Sequence, residues 1–98
     1  HEERRMEALQ IDYPEVEVKA HIQDYGWKDY GKITKDTIIG TTGEERRLEC
    51  LCLKGNFQYR VHIQYRGWSC WTDADGIATL GSVGQDLRIE AIQIKELD

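Results

Sequence analysis

The sequence predicts an all-β protein built from tandem four-strand units. Three observations carry that prediction: self-similarity at 41 residues, apolar alternation of period two, and no apolar stripe at helical spacing. The self-similarity is plainest in "HIQDYGW" (His21 to Trp27) against "HIQYRGW" (His62 to Trp68). The histidines at 21 and 62 and the tryptophans at 27 and 68 are each 41 positions apart. The same offset relates Gly40 to Gly81, Gly43 to Gly84, Arg47 to Arg88 and Glu49 to Glu90. Similar residues fill the intervals, with Lys19 matching Arg60, Tyr30 matching Trp71, Thr41 matching Ser82 and Leu53 matching Ile94.

The opening residues fit the same scheme. "EERRMEALQI" (Glu2 to Ile11) matches "EERRLECLCL" (Glu44 to Leu53) at an offset of 42, and "MEALQI" matches "IEAIQI" (Ile89 to Ile94) at 83. The chain therefore divides into the last strand of a preceding unit (1–13) and two full units, 14–54 and 55–98, forming one compact domain. This reads as a tandem array cut at a domain boundary. Pro14 accounts for the one-residue difference in offset.

Each element of a unit follows from local pattern. Val16, Val18, Ala20 and Ile22 alternate with Glu17, Lys19 and His21, and Phe57, Tyr59, Val61 and Ile63 repeat the alternation. That is a strand with one buried face. Gly26-Trp27 opens a short second strand towards Tyr30, followed by a polar loop from Lys32 to Lys35. "TIIG" supplies a third strand, and "GTTG" and "GSVG" are tight turns in which glycine tolerates positive φ. The last strand, Arg46 to Leu53, is apolar on one face in its second half. Four short strands in about 41 residues suit a unit of a β-prism or β-trefoil, or one half of a two-unit β-sandwich. Two units and a strand fall short of threefold symmetry, so the closure stays open among these.

Composition excludes several function classes. A net charge of −5 and a pI near 5.2 disfavour a nucleic-acid backbone or an anionic membrane surface as partner. No segment approaches the ~20 apolar residues of a transmembrane helix, and no signal peptide is recognisable. Cys50, Cys52 and Cys70 are odd in number and lack a C-x-x-C spacing. They are expected to be free thiols, which fits a reducing or anaerobic setting, with a disulfide to Cys70 as the alternative.

The ordered landmarks "H-I-Q-x-x-G-W", "G-T-T-G" (second copy "G-S-V-G") and "R-L-E-C-L" (second copy "R-I-E-A-I-Q-I") resemble the clostridial hydrophobic-W (ChW) repeat. The resemblance spans both units and the N-terminal strand, with Cys50 and Cys52 in place of the usual Ala and Gln. It implies a secreted or cell-surface protein of Gram-positive bacteria whose repeats mediate attachment or macromolecular assembly.

Trp27 and Trp68 offer flat surfaces for a pyranose ring, although a residue required by every unit is more often a core anchor. Trp71 and Tyr30, near the loop, are the stronger surface candidates. Tyr25, Tyr65 and Arg66 join them, because the two copies differ there. His21 and His62 are read as satisfied hydrogen-bonders, since no nucleophile accompanies them. Arg47/Glu49, Arg88/Glu90 and Arg5/Glu7 lie at i, i+2 on one strand face and are read as repeated ion pairs rather than catalytic carboxylates. "DADG" (Asp73 to Gly76) is read as a plain turn rather than a calcium loop. The expectation is a non-enzymatic, extracellular binding or adhesion module without cofactor or metal. Its partner would be a glycan or a surface protein, a host glycoprotein or immunoglobulin included, alongside neighbouring repeats of the same chain. The alternative is a purely structural spacer or assembly block.

Overall fold

The computed structural model describes residues 7–44, 46–85 and 87–97, and it is all β. Nine strands are present among the described residues: β1 (Ala8–Leu9), β2 (Glu17–Ile22), β3 (Gly26–Lys32), β4 (Ile39–Gly40), β5 (Leu48–Ile63), β6 (Gly67–Trp68), β7 (Thr72–Asp75), β8 (Leu80–Gly81) and β9 (Ile89–Glu96). No helix among them is long and apolar enough to cross a membrane. Arg5, the first member of the N-terminal ion pair expected with Glu7, lies outside the described residues.

The predicted alternation in β2 is realised, with Val16, Val18, Ala20 and Ile22 buried. Phe57, Tyr59, Val61 and Ile63 are buried in the same way. What the sequence did not predict is that the last strand of the first unit and the first strand of the second are one continuous strand. Over its first half β5 pairs with β2, from Ile22↔Leu48 to Glu17↔Lys54. Over its second half it pairs with β9, from Phe57↔Glu96 to Ile63↔Ile89. The units therefore share a backbone strand as well as a core.

That strand turns a corner. Six extended residues span about 20 Å, yet the Tyr59 hydroxyl accepts from the Leu53 amide at 3.1 Å. The register with β7 agrees, since Lys54↔Asp75 and Gln58↔Asp73 leave two extra residues on β5. The bend falls around Gly55, where a Cβ would lie 2.3 Å from the Phe57 ring. Burial pushes the Tyr59 phenol up to about 12, so it stays protonated and able to donate its one proton to the Leu51 or the Ala78 carbonyl.

Two further expectations are revised. The last strand of the first unit is buried on both faces from Leu48 to Leu53, because β7 and β8 cover the edge and face that a single unit would leave open. The polar loop is shorter than predicted: Lys32 closes β3, and Ile33 turns into the core. Cys50, Cys52 and Cys70 are all free; the first two are buried and the third is exposed. Burial raises the Cys50 and Cys52 thiols above their ordinary value.

The contact between successive units is the same each time. Gly40 of β4 lies against β1, in register Ala8↔Gly40 and Leu9↔Ile39. Gly81 of β8 lies against β5, in register Cys50↔Gly81 and Leu51↔Leu80. A Cβ on Gly40 would sit 2.3 Å from the Glu7 carbonyl oxygen, and one on Gly81 2.2 Å from that of Glu49. Both glycines hold positive φ, +104° and +122°. Glycine is required here twice over, by conformation and by the approach of a neighbouring backbone.

Candidate functional site: a repeated Arg–Glu–His–Trp relay and the groove beside it

A β-bulge builds the relay. On β5, Leu48 opposes Ile22 and Cys50 opposes His21, so Glu49 is the extra residue. On β9, Ile89 opposes Ile63 and Ala91 opposes His62, so Glu90 is the extra residue. Such a bulge re-aims the side chain it carries. Glu49 Oε1 lies 3.0 Å from His21 Nδ1, and Glu90 Oε1 lies 3.1 Å from His62 Nδ1. An ionised carboxylate only accepts, so each histidine donates through Nδ1–H. The second carboxylate oxygen faces the arginine two residues earlier, at 3.5 Å in both copies. The predicted Arg47–Glu49 and Arg88–Glu90 ion pairs are thus present, and each also orients a histidine.

The histidine in turn sets the tryptophan. His21 and Trp27 are directly paired across β2 and β3, as are His62 and Trp68 across β5 and β6. Their rings meet edge to face, with centroids 5.4 Å and 5.2 Å apart. The glutamine two residues after each histidine closes the frame. The Gln23 backbone N–H donates to the Arg47 carbonyl and its side-chain Oε1 accepts from the Arg47 N–H; Gln64 does the same with Arg88. The intervening Ile22 and Ile63 enter the core. Every residue of "HIQ" therefore has a structural partner.

The tryptophans are not core anchors. Trp27 is 48% exposed and Trp68 39%, held by a histidine beneath rather than buried. Tyr30 is half-buried against the core and its hydroxyl accepts from the Gly40 amide at 2.8 Å, so it supports the inter-unit contact. Trp71 is half-buried with the Arg60 guanidinium 4.7 Å and the Lys95 ammonium 5.7 Å from its ring centroid. The same Arg60 lies 4.7 Å from the Trp68 ring, so one guanidinium serves both indoles. Tyr25 is exposed, bonds Glu44 and packs under Arg46, which also pairs with Asp24. The Glu44 hydrogen bond raises its phenol above the ordinary value. Tyr65 is 89% exposed at the tip of its turn, and the adjacent Arg66 bonds Gln85.

Of these candidates, Trp27 lines a groove. It runs between β2–β3 of the first unit and the turn after β7 in the second, with a volume of about 430 Å³. Lys19, Lys28, Asp29, Cys52, Gly76, Ile77 and Thr79 complete its walls. A second hollow, sharing Lys19, Asp29, Cys52 and Gly76, continues it towards Glu17 and Lys54. Arg60 covers the indole of the second copy, whereas its first-copy equivalent, Lys19, lies in the groove wall beside Trp27. The groove exists only because two units meet, which is why reading one unit at a time missed Lys28, Asp29, Ile77 and Thr79. The His–Glu pairing left a usable signal: both members recur at a separation of 28 in each copy.

"DADG" departs from a plain turn: Thr72–Asp75 is strand β7, and the turn begins at Gly76. Asp75 Oδ1 accepts from the Ile77 and Ala78 amides at 2.8 Å and 2.9 Å. These backbone donors, Ala78 first, hold its carboxyl below the usual range. Asp73 accepts from Gln58 at 2.8 Å. Among the described residues, no three His, Cys, Asp or Glu side chains converge as metal ligands would.

Fold and relay together define an all-β tandem-repeat module in which Arg, Glu, His and Trp recur as a unit. A family model described as "Clostridial hydrophobic W" matches residues 21–54 and again 62–96. The chain belongs to the ChW family and carries two of its repeats, which places it among repeat modules of bacterial proteins. Neither curated proteins nor solved structures gave a match.

Proposed function

We propose that this chain is a non-enzymatic binding module of a secreted or cell-surface bacterial protein, and that it recognises glycan in the groove beside Trp27. The observation that carries the reading is the half-exposed Trp27 indole, fixed in orientation by the His21–Glu49–Arg47 relay and flanked by mixed polar groups. A preset indole face offers a pyranose ring its CH surface at little entropic cost. Lys19, Lys28, Asp29 and Thr79 supply donors and acceptors for ring hydroxyls around it. Catalysis is disfavoured because the carboxylates in question are occupied: Glu49 faces a histidine with one oxygen and an arginine with the other.

The test is a glycan array followed by titration of any hit, alongside a panel of surface glycoproteins and immunoglobulins. Trp27→Ala is expected to weaken glycan binding about 5- to 30-fold, the scale of a lost aromatic contact of about 1–2 kcal/mol. Trp68→Ala is expected to do less, since Arg60 already occupies that ring. Binding to a protein but to no glycan would move the ligand class. Absence of any ligand across both screens would leave the spacer role.

A further inference from the structure

We infer that the free edge of β9 at Glu90–Ile92 is a docking site for the Leu/Ile-Gly strand of a further ChW unit following it in sequence. The inference rests on an interface that the chain already builds twice. β4 docks on β1 at Ala8 and Leu9, and β8 docks on β5 at Cys50 and Leu51. The equivalent residues of β9 are Ala91 and Ile92, at the offset of 41 that relates the two units. In both built examples the amide after the docked glycine donates to the carbonyl of the relay-position glutamate: Thr41 to Glu7 at 3.3 Å and Ser82 to Glu49 at 3.0 Å. The equivalent acceptor on β9 is the Glu90 carbonyl.

The edge is unused among the described residues. β9 pairs only with the second half of β5, which leaves its opposite side without a partner strand. The exposure of the His–Glu pair registers the difference, while the relay arginine, 21% exposed in the first copy and 13% in the second, does not follow it. Where a following unit docks, the His21 and Glu49 side chains are 16% and 6% exposed; where none docks, His62 and Glu90 are 35% and 29% exposed. The His–Glu pair and the bulge are the same in both copies, and the first alone has a docked strand and turn beside it.

Sequence order favours a unit that follows in the same chain over a second copy. In both built contacts the docking strand comes after the strand it docks on, Ile39 following Leu9 and Leu80 following Leu51. β4 and β8 of this chain are themselves already engaged, so a second copy would have to release one of them to fill the site. Beside the edge lies an open cleft of about 470 Å³, lined by Leu9, Ile92 and Ile94 together with the polar Gln10, Asp12 and Glu96.

The experiment splices a copy of residues 55–97 after Lys95, which keeps Gly55 at the junction as in the native β5. Amide hydrogen exchange of Ile92 is then followed by NMR, since Leu51, its equivalent, pairs with Leu80 of β8. The expected result is that Ile92 exchange slows by at least about tenfold. Replacing the copied Gly81 with valine in the appended unit alone is expected to restore the original rate. Ile92 exchanging as in the 98-residue chain overturns the proposal, whether or not the appended unit folds. So does protection that survives the Gly→Val replacement. Protection of Ile92 in the unextended chain that rises with protein concentration assigns the edge to a second copy and overturns it equally.

Discussion

Gly81→Ala is a sharp perturbation of the inter-unit contact, because the structure supplies two separable costs. At φ +122° an alanine is held where L side chains are strained, a cost of about 1–3 kcal/mol. Its Cβ would also stand 2.2 Å from the Glu49 carbonyl oxygen and 2.9 Å from the Cys50 Cα, both backbone atoms with no rotamer to escape through. Relief requires β8 to move away from β5. That sacrifices the Ser82–Glu49 backbone hydrogen bond, worth about 1 kcal/mol, and part of the apolar cover over Cys50 and Leu51. These two figures sum to about 2–4 kcal/mol before the lost apolar cover is added, a large share of the 5–15 kcal/mol typical of a domain. Gly43→Ala is the control: its φ is +74°, but nothing lies within 4 Å of the added Cβ, so only about 1 kcal/mol of conformational cost applies. Urea unfolding followed by tryptophan fluorescence measures both. If Gly81→Ala costs no more than Gly43→Ala, close backbone approach is not what holds the units together.

Three other outcomes follow from the same geometry. Glu49→Gln is expected to destabilise by about 2 kcal/mol, the scale of a charge-assisted buried contact; Glu90→Gln, in the more open relay, is expected to cost less than about 1 kcal/mol. Equal losses in urea unfolding would show that cover by the next unit does not matter to the relay. With a thiol reagent at neutral pH, one equivalent per chain is expected to react quickly, at exposed Cys70, and Cys50 and Cys52 only on unfolding; two fast equivalents would contradict the burial. For Asp75, the folded carboxyl titrates below its unfolded value, so its contribution is present above that value and is lost as pH falls through the depressed folded one. Stability of the parent chain is therefore expected to fall more steeply than that of Asp75→Asn below about pH 4; parallel curves would mean that the Ile77 and Ala78 amides do not hold this carboxyl.

The unit itself was legible in the sequence because its signals are local or repeated. Period-two alternation marked β2 and the second half of β5, and the repeated Arg-x-Glu marked the ion pairs. The histidine–glutamate bond was nearly legible, since both residues recur at one separation. The bulge that makes it possible has no composition signature: an extra residue shows only against a partner strand. Trp27 and Trp68 illustrate the opposite problem. Recurrence suggested a buried anchor, but residues that recur in every unit can equally be held at the surface by a recurring support, here the histidine.

By itself the sequence determined an all-β chain, two units of one kind, and the residues each unit cannot do without. Those follow from short-range periodicity and from duplication, which any chain writes in its own letters. Tertiary structure decided what happens between units. It merged two strands into one bent β5, buried Glu49 while leaving Glu90 open, covered Trp68 with Arg60 and opened a groove beside Trp27. Apart from the Arg60–Trp68 contact, which lies within the second unit, each of these depends on which backbone comes to lie across a unit's edge, a through-space relation that neither unit's own sequence encodes.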